Sequence, residues 1–306
     1  MEVDVLIPVY RPDGKLTELL KRLKMQNYPI HRVILMNTEE KHFPAELTGI
    51  WDRVEVYHLA KEEFDHGGTR DRGVRMSTAD LVLCMTQDAM PADETLIEEL
   101  VKSFDDPEVW AAYARQLPNE DCREVEKYTR SFNYPEQSMV KKKEDLDRLG
   151  IKTFFCSNVC AAWRREKYLE LGGFVKHTIF NEDMILAGTM IKQGGKIAYC
   201  AKAKVIHSHN YSAFQQFHRN FDLAVSQTMY PEVFGGIRSE SEGIKLVKKS
   251  LSYCIKIGKP WLMIQVVTQS AGKLLGYKMG QRYRSLPMWL ILRCTMSPSF
   301  WRGGKA

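Results

Sequence analysis

Asp88 follows a run of five mostly apolar residues, Leu81–Met85, in the segment DLVLCMTQDAMP. Five such residues are too few for a lone helix and read as a strand buried on both faces. Thr86, Gln87 and Asp88 come next, and Pro91 stops the element. A carboxylate just past the C-terminal end of a buried strand sits where open α/β sheets bind ligands. It can hold a divalent cation through hard oxygen ligands, and the cation can hold phosphates. The competing reading is an Asp that caps the next turn or helix.

The elements needed to position such a group recur along the chain. VDVLIPVY reads as a first strand, residues 13–25 as a helix with Leu16, Leu19, Leu20 and Leu23 on one face, and residues 33–36 as a second buried strand. Val54–Leu59 is a short third strand. FDHGGTRDRGVRMSTA places two glycines before a helix that leads into the Leu81 strand. Strands alternating with helices predict a parallel, doubly wound sheet whose ligand crevice lies near Tyr10, Asn37 and Asp88. Further on, residues 111–117, 154–163 and 196–205 read as strands, and residues 119–150 as a polar excursion. NEDMILAGTMIKQG reads as an amphipathic helix opened by Glu182 and Asp183, which favour a helix N-terminus. Phe214, Phe217 and Phe221 share one face of a last helix before a glycine-rich boundary in residues 234–243.

In this order the segments VLIPVY, NTEE, HGGTRDRGV, TQDAMP and FNED resemble the family 2 glycosyltransferases over roughly residues 3–222. The resemblance implies the A-type glycosyltransferase fold, with a Rossmann-like, mostly parallel sheet flanked by helices. FDHGGTR, TQDAMP and HSHNYS together look like the rhamnosyltransferase branch, whose donor is dTDP-L-rhamnose. TQDAMP stands at the family's Asp-x-Asp position, with Thr86 in the first acid's place. The resemblance implies transfer from a nucleotide sugar to a lipid-linked or polysaccharide acceptor, with inversion. A UDP-hexose donor is the alternative, as is a non-catalytic nucleotide-sugar-binding scaffold at the membrane.

The resemblance assigns roles residue by residue. Asp183 is the expected base, since the attacking acceptor hydroxyl must lose its proton, and Glu182 is the next choice. Pro8, Tyr10, Asn37, Asp65, Gly67, Arg70, Gln87 and Asp88 are the expected donor-binding residues. Asn37 has an amide able to meet thymine's imide edge, and reads equally as an ordinary turn residue. The glycines beside Asp65 permit close backbone approach to a ligand. Arg70 meets phosphate or pairs internally with Asp65 or Asp71. Asp88, with His207 or His209 after the last strand, is expected to bind Mn²⁺ or Mg²⁺; imidazole beside carboxylate favours manganese. The two histidines also read as a solvated polar pair or as direct diphosphate contacts. Trp163 and Arg164 lie where the family contacts acceptor, although Trp163 also reads as core. Arg219 either faces the acceptor's diphosphate or pairs with Asp222 at helical spacing.

Bulk properties set the frame. The 306 residues suffice for one large α/β domain with an appendage, divided as 1–235 and 236–306. The net charge of +6 hides a segregation: residues 244–306 hold 12 Lys and Arg and no acidic residue, while the remainder is net −6. Amphipathic basic helices with Trp289 and Trp301 predict contact with an anionic membrane surface. A helical subdomain packed on the body, or a homodimer contact, is the alternative; no nucleic-acid partner is expected. Gly272, Gly276 and Gly280 allow a close helix neighbour in either case. Truncation near Gly243 is expected to leave a body that still binds donor. Seven scattered cysteines and a first strand that begins almost at Met1 predict a cytoplasmic protein with reduced thiols, peripheral on the inner face of the cell membrane.

Overall fold

The computed structural model describes residues 1–237 and 240–303, and of residues 240–242 the backbone alone. Two compact units are formed. The first takes residues 1–119, 134–176 and 182–207; the second takes residues 120–133, 177–181 and the described chain from Ser208 onward.

The first unit is built on one nine-stranded sheet. Its strands are β1 (Val3–Tyr10), β2 (Arg32–Thr38), β3 (Val54–Leu59), β4 (Leu81–Met85), β5 (Met90–Pro91), β6 (Val109–Leu117), β7 (Met139–Lys141), β8 (Cys160–Arg164) and β9 (Lys196–Ile206). The order is β3-β2-β1-β4-β8-β6-β9-β5, with β7 also paired to β9. β1 to β4, β6 and β9 run in one direction, so their C-terminal ends share one edge. β5, β7 and β8 run the other way. The sheet is therefore mixed where alternation alone predicts parallel pairing. Every residue of β4 is buried, as a two-face-covered strand requires.

The helix Gly14–Lys24 buries Leu16, Leu19, Leu20 and Leu23, and the Asp13 carboxylate caps it through the Lys15 amide at 2.9 Å. Each of these leucines joins the central apolar cluster with Val5, Ile7 and Leu83. A side chain buried this fully is worth about 1.5–3 kcal/mol. The helix His66–Met76 lies close to β1, because a Cβ on Gly73 would strike Leu6.

The second unit is helical. Its long helices are Ala213–Met229, Glu240–Lys256 and Leu262–Gln281, joined by the shorter Glu124–Asn133 and Met288–Cys294. Ser212 and Gln215 cap the first reciprocally, at 3.2 and 2.9 Å. Cβ atoms on Gly272, Gly276 and Gly280 would meet the carbonyls of Ala213, Phe217 and Phe221 in turn. Residue numbers rise together on both sides, so helices Ala213–Met229 and Leu262–Gln281 pack parallel along a glycine ridge. Phe221, Val225, Ile291, Cys294 and Ile179 form the core beside it. The division thus falls after His207 rather than in the glycine-rich residues 234–243, because the phenylalanine helix finds its closest partner in the basic tail.

Candidate active site

The shared strand edge of the first unit carries the residues able to do chemistry. The helix Glu182–Lys192 begins there with its two carboxylates. Glu182 is buried, 3.0 Å from Arg70 Nη1, and accepts from Asn158 Nδ2 at 3.2 Å. Arg70 also donates to the His66 carbonyl at 3.0 Å. Asp183 accepts from the Asn158 amide N–H at 2.9 Å and from the Met184 amide N–H at 2.8 Å. Burial, then the adjacent Glu182 charge, pushes the Asp183 carboxyl up to about 7. Burial also works against the Glu182 carboxylate, yet Arg70, His66 and Asn158 outweigh it and hold that group below its ordinary value. Two consecutive carboxyls are thereby separated, one kept ionised and one poised near neutrality.

Asn158 holds the pair from the side. The strand expected over residues 154–163 begins only at Cys160, because residues 150–154 form a 3₁₀ turn and the chain then bends to aim the Asn158 N–H at Asp183. Lys141 secures the approach to this bend: its ammonium donates to the carbonyls of Lys152, at 3.2 Å, and Phe155. Burial drives the Lys141 pKa down to about 7. Neither Asn158 nor Lys141 has a sequence signal beyond an Asn in a short polar break before a strand.

A second group stands past the ends of β4 and β9. His207 Nε2 lies 3.6 Å from Asp88 Oδ1. Its Nδ1 faces Gln116 Oε1 at 3.2 Å, and Gln116 in turn donates to Ser157 Oγ at 3.2 Å. An acceptor at Nδ1 selects the tautomer whose lone pair is on Nε2, towards Asp88. A carboxylate and an oriented imidazole nitrogen fit a divalent cation such as Mn²⁺. His209 is two residues further along the chain, at the start of the second unit. Thr86 Oγ1 is buried without a hydrogen-bond partner among the described residues.

The remaining residues expected on the donor side are spread over β1, β2, the turn after β4 and the start of the helix His66–Met76. Gln87 exchanges two hydrogen bonds with the Tyr10 backbone, at 3.0 and 3.1 Å, which ties the β4 turn to the end of β1. Pro8 is two residues inside β1, opposite Met36. Asn37 is fully buried; its Nδ2 meets His58 Nδ1 at 2.9 Å and its Oδ1 has no partner among the described residues. Asp65 caps the helix His66–Met76 by accepting from the Gly68 amide.

Several expectations need correction. Arg70 pairs internally, but with Glu182 rather than Asp65 or Asp71; Asp71 takes Arg75 at 2.8 Å instead. Gly67 admits the Val175 carbonyl, so its lack of a side chain serves packing rather than ligand approach. Trp163 is fully buried and donates its indole N–H to Asn158 Oδ1 at 3.0 Å, which orients Asn158 and leaves no acceptor contact. Arg164 pairs in register with Leu81, at the opposite end of β4 from Asp88, and donates to the carbonyls of Val109 and Phe104. That follows from β8 running antiparallel. In the second unit Arg219 stacks on Phe180 and Tyr211, at 4.7 and 5.7 Å from the ring centroids. Asp222 accepts instead from Thr295 Oγ1 at 2.6 Å and the Met296 amide at 2.8 Å.

Comparison with known proteins adds to this geometry. The description "Glycosyl transferase family 2" matches residues 4–172, which stop just short of the carboxylate pair. The chain is similar throughout to the O-antigen chain rhamnosyltransferase RfbN of Salmonella typhimurium, with 37% identity over 98% of this chain and 96% of that one. The O-antigen chain rhamnosyltransferase WbaN of Salmonella anatum is 40% identical over 79% of this chain and 78% of its own. Among solved structures, the fold is similar to the mannosyltransferase PcManGT from Pyrobaculum calidifontis in complex with GDP-Man and Mn²⁺. There the TM-score is 0.57, at 14% identity over 97% of this chain and 87% of that one.

Proposed function

The chain belongs to glycosyl transferase family 2, and from that premise we propose that it moves L-rhamnose from dTDP-L-rhamnose to a lipid-linked or polysaccharide acceptor in cell-surface glycan synthesis. The rhamnosyltransferase names of its relatives support the sugar. The observation that carries the mechanism is a buried Asp183 carboxyl raised to about 7 beside a Glu182 held ionised.

In this reading Asp183 takes the proton of the acceptor hydroxyl as that oxygen bonds to the anomeric carbon. The bond from the anomeric carbon to the donor phosphate oxygen breaks, and its electron pair leaves with the nucleoside diphosphate. A single base on the face opposite the leaving group gives inversion. Glu182, paired with Arg70, keeps its charge and makes Asp183 the stronger base. Asn158 and Met184 leave Asp183 oriented by two amide donors. Asp88 and His207 would hold a divalent cation, Mn²⁺ or Mg²⁺. Such a cation supplies positive charge against the departing diphosphate. Pro8, Tyr10, Gln87 and Asp65 would shape the donor cleft. Asn37 Oδ1, buried without a partner among the described residues, would accept from the thymine imide N–H.

Uracil offers the same imide edge, so a UDP-hexose donor remains the second reading. Incubation with dTDP-L-rhamnose, UDP-hexoses and GDP-mannose, reading nucleoside diphosphate release, separates them. Fastest release from dTDP-L-rhamnose is expected. Faster release from a UDP sugar would overturn the donor, and no release from any would favour a non-catalytic scaffold.

We also infer a cytoplasmic place on the inner face of the membrane. None of the described helices is long and apolar enough to cross a bilayer, while residues 244–306 carry 12 basic residues and no acidic one. Attachment would therefore be peripheral.

A further inference from the structure

The helix Leu262–Gln281 has two unlike sides. Gly276 and Gly280 are buried against Phe217 and Phe221. The outward side carries Trp261, at 64% exposure, with Ile264 at 71%, Val267 at 54%, Leu274 at 56% and Leu275 at 59%. At 1.5 Å per residue, Ile264 to Leu275 forms an apolar stripe about 16 Å long. Monomeric proteins seldom leave such a continuous stripe open to water. The glycine ridge does not use it, and the basic residues beyond it are exposed: Lys278, Arg282 and Arg284. Trp289, at 60% exposure, lies under Arg293, whose guanidinium carbon is 5.5 Å from the ring centroid.

Together these describe a helix that lies in a lipid interface, with apolar side chains inserted and cations at headgroup level. The charge sets the occupant. The exposed cations Lys278, Arg282 and Arg284 stand at the end of the stripe, in a stretch that holds no acidic residue after Glu242, and a second copy of this surface would meet like charge with like. We propose that the stripe from Trp261 to Leu275 is the face that inserts into an anionic lipid leaflet, with Lys278, Arg282 and Arg284 contacting phosphate headgroups. The inference rests on the peripheral placement proposed above and names the surface that achieves it.

The test uses the full chain with vesicles of neutral phosphatidylcholine, and the same lipid carrying phosphatidylglycerol. The wild type should sediment with the anionic vesicles and release as salt rises past physiological strength, where the Debye length is about 8 Å. The double variant Ile264→Ser/Leu275→Ser changes exposed positions, and should bind those vesicles about tenfold or more weakly while its affinity for dTDP-L-rhamnose is unchanged. Quenching of tryptophan emission by brominated lipid should fall in Trp261→Phe. Circular dichroism of both variants checks the fold. Equal binding by wild type and double variant, with equal quenching in Trp261→Phe, would overturn the inserted face while leaving peripheral attachment intact. No binding by the wild type to either vesicle would defeat attachment itself. A wild-type dimer that the double variant dissolves, without lipid binding, would assign the stripe to a second copy instead.

Discussion

Glu182 and Asp183 are neighbours in sequence, but their partners set them apart. Arg70 satisfies one, and amide N–H groups alone satisfy the other. If Asp183 is the base, kcat/KM should climb with unit slope in its logarithm as pH rises towards about 7, then level off. Asp183→Asn should lose about 10² to 10⁴ in rate while keeping donor affinity. A mutant of near-normal turnover would remove Asp183 from the reaction. The same group bears on stability. Its folded-state pKa is raised, so the favourable folded, protonated form is fully present below the unfolded value and is lost as pH rises through about 7. Asp183→Asn should therefore melt close to wild type near pH 4 and progressively higher than wild type up to pH 7, after which the gap stays constant. Scanning calorimetry across that range reads it. Asp88 is tested separately: Asp88→Ala should weaken nucleotide-sugar binding and abolish any Mn²⁺ effect on it, since the carboxylate facing His207 is gone. Titration calorimetry with and without Mn²⁺ checks this, and identical isotherms for mutant and wild type would clear Asp88 of the role.

At the scale of elements, most of the sheet was legible because burial on both faces leaves a continuous apolar run. Val3–Tyr10 and Leu81–Met85 form where those runs lie, whereas the half-exposed Val54–Leu59 shows only spaced apolar residues. Strand direction was not legible. Nothing within Cys160–Arg164 records that it runs antiparallel, yet that choice sends Arg164 away from the strand edge that holds Asp88. The glycines at spacing four were visible as a ridge without a partner; their partner is the helix Ala213–Met229. Gly276→Val should cost about 1–3 kcal/mol by forcing a side chain onto the Phe217 carbonyl. A lowered melting temperature with native helix content is the expected reading. An unchanged melt would mean the two helices do not approach so closely.

For the whole molecule, the charge asymmetry suggested a detachable tail, and the packing argues otherwise. Phe221 and Val225 share a core with Ile291 and Cys294, which lie far beyond Gly243. Truncation at Gly243 should therefore expose that core and the ridge-facing side of the helix Ala213–Met229. The shortened chain is expected to aggregate or melt broadly, rather than behave as a clean donor-binding body. Gel filtration and thermal melting of residues 1–243 against the full chain provide the comparison. A monomeric, cooperatively melting fragment would refute the shared core. All seven cysteines are free and buried, so reducing agent should not change the outcome.

Sequence alone determined where the first four strands and the helices Gly14–Lys24 and His66–Met76 lie, that acidic groups open the helix Glu182–Lys192, and that the positive charge gathers at one end. Those features are local: they depend on apolar spacing, capping and residue counts within short windows. Tertiary structure decided which groups meet. Asn158 reaches Asp183 across 25 positions, and His207 reaches Gln116 across 91. The Arg70 partner follows from such a distant pairing, and the raised Asp183 pKa comes first from the burial that only the fold supplies, with the charge of its chain neighbour Glu182 adding to it.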